Sequence, residues 1–168
     1  MMTWRHMSQL FSALAVILLV DATSISHALD VVIKVIVTRE GMPWVLGTTN
    51  LPDNSILLVS VSRSEANYLS KHTAVVSNRR FTAGPFSRNG GALTPGDYEI
   101  EVVFGIAATQ PKSVQEVVGQ NNEKLTGSLV TESAIGITAR QLFKINLGGP
   151  ASPELDRKAR EENAVGRK

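Results

Sequence analysis

The chain has 168 residues, a net charge of +2 and no cysteine. Without cysteine there is no disulfide staple and no thiol chemistry, so the fold has to hold by packing alone. A charge this small, with no dense Lys/Arg stripe, argues against nucleic acid as a partner.

Residues 1–28 read as a cleavable secretory signal. Arg5 supplies the basic start, residues 10–20 (LFSALAVILLV) form an uncharged apolar run, and Ser26 and Ala28 are small residues at a cleavage site. The run is about half the length needed to cross a bilayer, which takes roughly 20 residues, and Asp21 ends it. No cysteine follows it, so a lipid anchor is not expected. The mature chain is expected to begin at Leu29, to lie in the periplasm or the extracellular medium, and to make no stable membrane insertion. Removing 28 residues leaves 140, enough for one domain with its own core.

Residues 29–38 (LDVVIKVIVT) place Leu29, Val31, Ile33, Val35 and Val37 in one phase, the period-2 pattern of a half-buried strand. Residues 40–43 read as a turn and 44–49 as a short extended stretch; Asn50 to Asn54 then break the chain. Residues 55–63 (SILLVSVSR) form a second strand with Leu57, Val59 and Val61 inward and Ser60 and Ser62 toward water. A short strand is expected over 73–77, and an edge strand over 80–86, with Pro85 near its end. After a loop over 87–91, a tight turn over 93–97 leads into a strand over 98–104, with Tyr98, Ile100 and Val102 on one face and Glu99, Glu101 and Val103 on the other.

Residues 111–118 (PKSVQEVV) predict the one helix, with Pro111 at its first position, Gly119 just past its end and Val114, Val117 and Val118 as an apolar stripe. Residues 125–130 read as irregular or a short strand. Residues 135–147 alternate through Ile135, Ile137, Ala139, Phe143, Ile145 and Leu147 as a long last strand. The 150–168 tail is charged and reads as frayed or as a short solvated helix. The expected organisation is therefore a signal over 1–28, one domain over 29–149 and the tail. About seven short strands with Gly/Pro turns and one short helix indicate an all-β sandwich.

Phe81-Thr82-Ala83-Gly84-Pro85-Phe86, followed by Leu93-Thr94-Pro95-Gly96-Asp97-Tyr98-Glu99-Ile100, resembles the "L-x-P-G-x-Y-x-V" turn and strand of immunoglobulin-like and transthyretin-like domains in bacterial exported proteins, and residues 49–53 are similar to that group as well. The resemblance covers about half the mature chain and implies an immunoglobulin-like or transthyretin-like β-sandwich. On function it is nearly silent, because sandwiches host many activities. It also makes Tyr98 a corner tyrosine, its ring inward and its hydroxyl on a backbone group of the preceding connection.

Few side chains remain for chemistry. After cleavage the chain keeps one histidine, His72, and one methionine, Met42. A zinc or copper site is hard to build from these, Asn121-Asn122-Glu123 is too sparse for a calcium loop, and no glycine-rich phosphate loop is present. No cofactor is expected. A serine triad would need His72, which sits in a polar stretch that reads as an exposed loop, and there is no G-x-S-x-G elbow. Glu99 and Glu101 lie on one strand face about 7 Å apart, which leaves a small hydrolase of envelope polysaccharide as the alternative to a non-enzymatic module.

Two surface features suit binding. Residues 54–96 carry Arg63, Lys71, Arg79, Arg80 and Arg88 against one acid, whereas 97–132 carry six acids against two lysines. The asymmetry fits cross-strand pairing between the two regions or a basic face for an envelope protein or anionic polymer. Trp44, the one tryptophan of the mature chain, lies in a polar turn region and fits either a displayed ring or an end-cap of the core. The expected function is an exported module that binds such a partner or supports an envelope assembly.

Overall fold

A computed structural model describes residues 28–38 and 41–148. The expected signal over 1–28, apart from Ala28, and the expected 150–168 tail lie outside the described residues. The described chain is all-β with one short helix, in ten strands rather than seven. They are β1 (Leu29–Asp30), β2 (Ile33–Val37), β3 (Val45–Thr49), β4 (Ile56–Arg63), β5 (Tyr68–Val75), β6 (Arg80–Ala83), β7 (Gly96–Phe104), β8 (Leu125–Thr126), β9 (Val130–Ser133) and β10 (Gly136–Leu147), with α1 (Lys112–Val118) between β7 and β8.

The strands form a five-stranded antiparallel sheet ordered β5-β4-β7-β10-β9, a three-stranded antiparallel sheet ordered β2-β3-β6, and a parallel pair of β1 and β8. Both larger sheets contribute to one core. Leu57, Val59, Val61, Ile100, Val102 and Phe104 come from the first, Ile33, Val45, Phe81 and Ala83 from the second. Val114 and Val118 of α1 join them. The outer faces of the two sheets therefore look away from each other.

The stretch 29–38 keeps the expected inward phase but is two strands. Leu29 and Asp30 pair in parallel with Leu125 and Thr126, while Ile33 onward pairs with β3. Asn50 holds the break open: its Oδ1 accepts the Val32 amide at 2.8 Å and its Nδ2 donates to the Asp30 carbonyl at 2.6 Å.

The strand expected over 73–77 is instead β5 over Tyr68–Val75, and its pattern is mixed. Tyr68, Ser70, His72 and Ala74 face inward, whereas Leu69 and Val75 are exposed. His72 is therefore not in an exposed loop: it is half-buried on β5, its ring centroid 4.6 Å from that of Phe86. Ser60, expected toward water, is buried, with its hydroxyl donating to Glu101 at 3.4 Å. In α1 the buried stripe is Val114 and Val118; Val117 is half-exposed, and Pro111 precedes the helix instead of opening it. Ile135, placed by its phase in the last strand, is exposed in the β9–β10 turn.

Two buried amides tie the α1 region to the sheets. Gln110 Oε1 accepts the Ile56 amide at 2.8 Å and its Nε2 donates to the Ile56 carbonyl at 2.9 Å, so one side chain satisfies both backbone groups of a residue at the start of β4. Asn122 donates from Nδ2 to the carbonyls of Gly105, after β7, and of Ile137, on β10, at 2.9 and 2.7 Å. In β3, Gly47 lies opposite Phe81, and a Cβ at Gly47 would overlap the Phe81 ring. The absent side chain leaves room for an aromatic that covers the bare backbone.

Candidate functional site

The outward phase of the three-stranded sheet follows from its register. Lys34 pairs with Thr48 and Thr48 with Arg80; in the next row Ile36 pairs with Leu46 and Leu46 with Thr82. Since Ile33, Val45, Phe81 and Ala83 point into the core, alternation puts Lys34, Thr48 and Arg80 on the outer face. Trp44 continues the phase of Leu46 and Thr48. It is fixed by exchange with Thr38, whose amide donates to the Trp44 carbonyl at 3.0 Å and whose hydroxyl accepts the Trp44 amide at 2.9 Å. Trp44 is 37% exposed and Leu46 39%. The face thus has an aromatic-aliphatic end and a basic end, about 13 Å apart along β3 from Trp44 to Thr48.

Arg79 adds to the basic end from the turn between β5 and β6. Asn78 and Arg79 have φ of 51° and 62°, and Ser77 and Arg80 exchange backbone bonds of 2.9 and 3.0 Å. This is a type I′ turn, which calls for positive φ at both central residues and favours Asn-Gly. The chain holds a second such turn, where Asn89 and Gly90 have φ of 52° and 77° between Arg88 and Gly91. There the glycine stands where the first turn has Arg79. A left-handed arginine costs about 1–2 kcal/mol. Its main chain is held on both sides: the amide donates to Asp53 Oδ1 at 3.3 Å, and the carbonyl accepts from the Thr49 amide at 3.0 Å.

Lys34, Thr48, Asn50, Asn78, Arg79 and Arg80 line a shallow concavity of about 360 Å³. Among the described residues the ion pairs are Arg63–Glu65, Arg140–Glu101 and Lys144–Glu99, so Lys34, Arg79 and Arg80 have no acidic partner there. The expected pairing between the basic 54–96 and acidic 97–132 regions does not occur in those pairs. The β7 acids pair with β10 bases instead, because β4, the other neighbour of β7, places Ser60 and Ser62 opposite Glu101 and Glu99.

Of the sequence-predicted residues, the structure gathers Trp44, Arg79 and Arg80 on one face and separates the others. Lys71 lies opposite Ser60 on the outer face of the five-stranded sheet, and Arg88 sits in the Asn89-Gly90 turn. Arg63 is committed to the fold. Its Nη1 donates to the Pro95 carbonyl at 2.7 Å and its guanidinium lies 5.5 Å from the Tyr98 ring centroid. Contact with the Tyr98 hydroxyl, and secondarily with Glu65, raises its pKa above the ordinary value. Lys34 lies outside the 54–96 stretch that carries the charge asymmetry. Its signal in the sequence is a charged residue in the outward phase of the 29–38 stretch, a phase it shares with Asp30.

Glu99 and Glu101 project from the outer face of the five-stranded sheet, paired with Lys144 and Arg140. No group of three or more His, Cys, Asp or Glu able to hold a metal ion occurs among the described residues, and no described helix is long and apolar enough to cross a membrane. Compared with protein-family models, with curated proteins and with solved structures, the chain finds no match.

Proposed function

We propose that this chain is an exported, non-enzymatic β-sandwich module, of the immunoglobulin-like or transthyretin-like kind, that binds an anionic envelope polymer on the outer face of its β2-β3-β6 sheet. The observation that carries the reading is the set of three cations, Lys34, Arg79 and Arg80, brought from three segments to one end of a face that also displays Trp44, with no acidic partner among the described residues. Three cations that form no ion pair among the described residues, with Asp53 held by the Arg79 main chain as the adjacent acid, attract polyanions and bind them in a salt-dependent way. The hydrolase alternative rests on Glu99 and Glu101, and their engagement by Lys144 and by Arg140 and Ser60 favours two ion-paired surface carboxylates over an acid–base pair.

Binding of the purified protein to immobilised dextran sulfate tests the site. Changing Lys34, Arg79 and Arg80 together to alanine is expected to weaken binding at least tenfold without lowering the melting temperature, and raising the salt is expected to do the same to the parent. Equal binding by the triple variant overturns the assignment of this face. Export is tested separately by intact mass of the protein recovered outside the cytoplasm. A mass beginning at Leu29 is expected, and one that retains Arg5 refutes cleavage.

A further inference from the structure

We infer that the polymer is an acidic polysaccharide held at two points, an acidic group in the Lys34–Arg79–Arg80 concavity and a sugar ring against Trp44, and that Arg79 is kept in its left-handed turn position for contact with the acidic group. The inference rests on the proposed binding face and goes beyond it in naming the ligand class and the residue.

Three observations support it. First, the basic and aromatic ends are separated along β3 by about 13 Å. A single small anion cannot touch both, whereas an extended chain lying along the strand can. Leu46 and Ile36 occupy the face between them, an apolar stretch that suits the aliphatic faces of sugar rings and offers no second cation. A uniformly charged chain would leave its middle charges unmatched there.

Second, the two type I′ turns make an internal comparison. With Asn89-Gly90 the turn takes its favoured residues, and nothing in the Ser77–Arg80 geometry demands a side chain at position 79. A glycine there would relieve the backbone. Strain that the surroundings hold in place is a pointer to function, and here Asp53 and Thr49 fix the Arg79 main chain while no described acid pairs with its guanidinium.

Third, the guanidinium can form paired hydrogen bonds with a carboxylate, sulfate or phosphate. The acidic group can thus be a uronate or a sulfate ester, and the probes below separate them.

The test is Arg79→Gly in the full chain, read by melting temperature and by binding to polygalacturonate and to dextran sulfate, with neutral dextran and inorganic sulfate as controls. Arg79→Gly is expected to melt several degrees higher than the parent and to bind the acidic polysaccharides at least tenfold more weakly. Tighter binding of polygalacturonate identifies the acidic group as a uronate, and tighter binding of dextran sulfate identifies it as a sulfate ester. The fluorescence difference between the parent and Trp44→Phe is expected to change on adding the preferred polysaccharide and to stay constant with inorganic sulfate or neutral dextran. If Arg79→Gly binds as the parent does while Lys34→Ala/Arg80→Ala loses binding, the role of Arg79 is overturned and the face stands. If Trp44 fluorescence does not respond to a bound polysaccharide, two-point binding is overturned. If neither variant alters binding, the face itself is wrong.

Discussion

Replacing Tyr98 with alanine is expected to lower the free energy of unfolding by about 3–5 kcal/mol, the range for deleting a buried aromatic side chain. Tyr98 is 3% exposed at the entry of β7, the central strand of the five-stranded sheet. Its hydroxyl donates to the Thr94 carbonyl at 2.8 Å, closing the turn that precedes the strand. Its ring meets Tyr68 edge to face at 6.0 Å and carries the Arg63 guanidinium, which in turn holds the Pro95 carbonyl. Tyr98→Phe keeps the ring and loses one hydrogen bond, for about 1–2 kcal/mol. A domain of this size has about 5–15 kcal/mol in all, so the alanine variant is expected to be partly unfolded at working temperature. Urea melts of the three proteins give the check. Coincident curves for the parent and Tyr98→Ala show that the ring is not a core residue.

Asn122→Asp is expected to rank beside it. Asn122 is fully buried, and its amide donates to two backbone carbonyls, those of Gly105 and Ile137. A carboxylate has the same shape but nothing to donate when ionised, and it would face both carbonyls with a buried charge. A loss of about 3–5 kcal/mol is expected at neutral pH, shrinking as the pH falls and the group takes up a proton. Asn122→Ala also loses both bonds, for about 1–3 kcal/mol per buried orphaned group, and adds the strain of alanine at a φ of 62°. Asn122→Gly removes that strain. It is expected to be more stable than Asn122→Ala by about 1 kcal/mol, and equal stability of the two would mean that the backbone there is not held left-handed.

The sequence made some of this plain and hid the rest for physical reasons. β4, β7 and β10 were evident because their apolar residues alternate and face one core. The corner turn at Pro95-Gly96 with Tyr98 was evident because each residue type there has a local task. β5 was largely hidden, since its inward positions carry Ser70 and His72 and its outward ones Leu69 and Val75. The break between β1 and β2 was hidden because Asn50, distant in sequence, causes it. Gln110 and Asn122 gave no signal, since each serves backbone groups of segments brought near only by folding. The site was half visible. Trp44, Arg79 and Arg80 stood out singly, but that they share a face with Lys34 depends on the β2-β3-β6 register, and that Arg63 belongs to the fold depends on where Tyr98 lies.

The position of β7 also governs when the molecule can form. One neighbour, β4, ends at Arg63, and the other, β10, begins only at Gly136. Both pairings join parts of the chain far apart in sequence, and folds built on such pairings close slowly, typically in milliseconds to seconds. A chain lacking its last strand has β7 with one edge bare and its core open on that side. Until residues 136–147 have arrived, the five-stranded sheet has no complete form to adopt. Without those residues β9 also loses the strand it pairs with, so the sheet is cut from five strands to three.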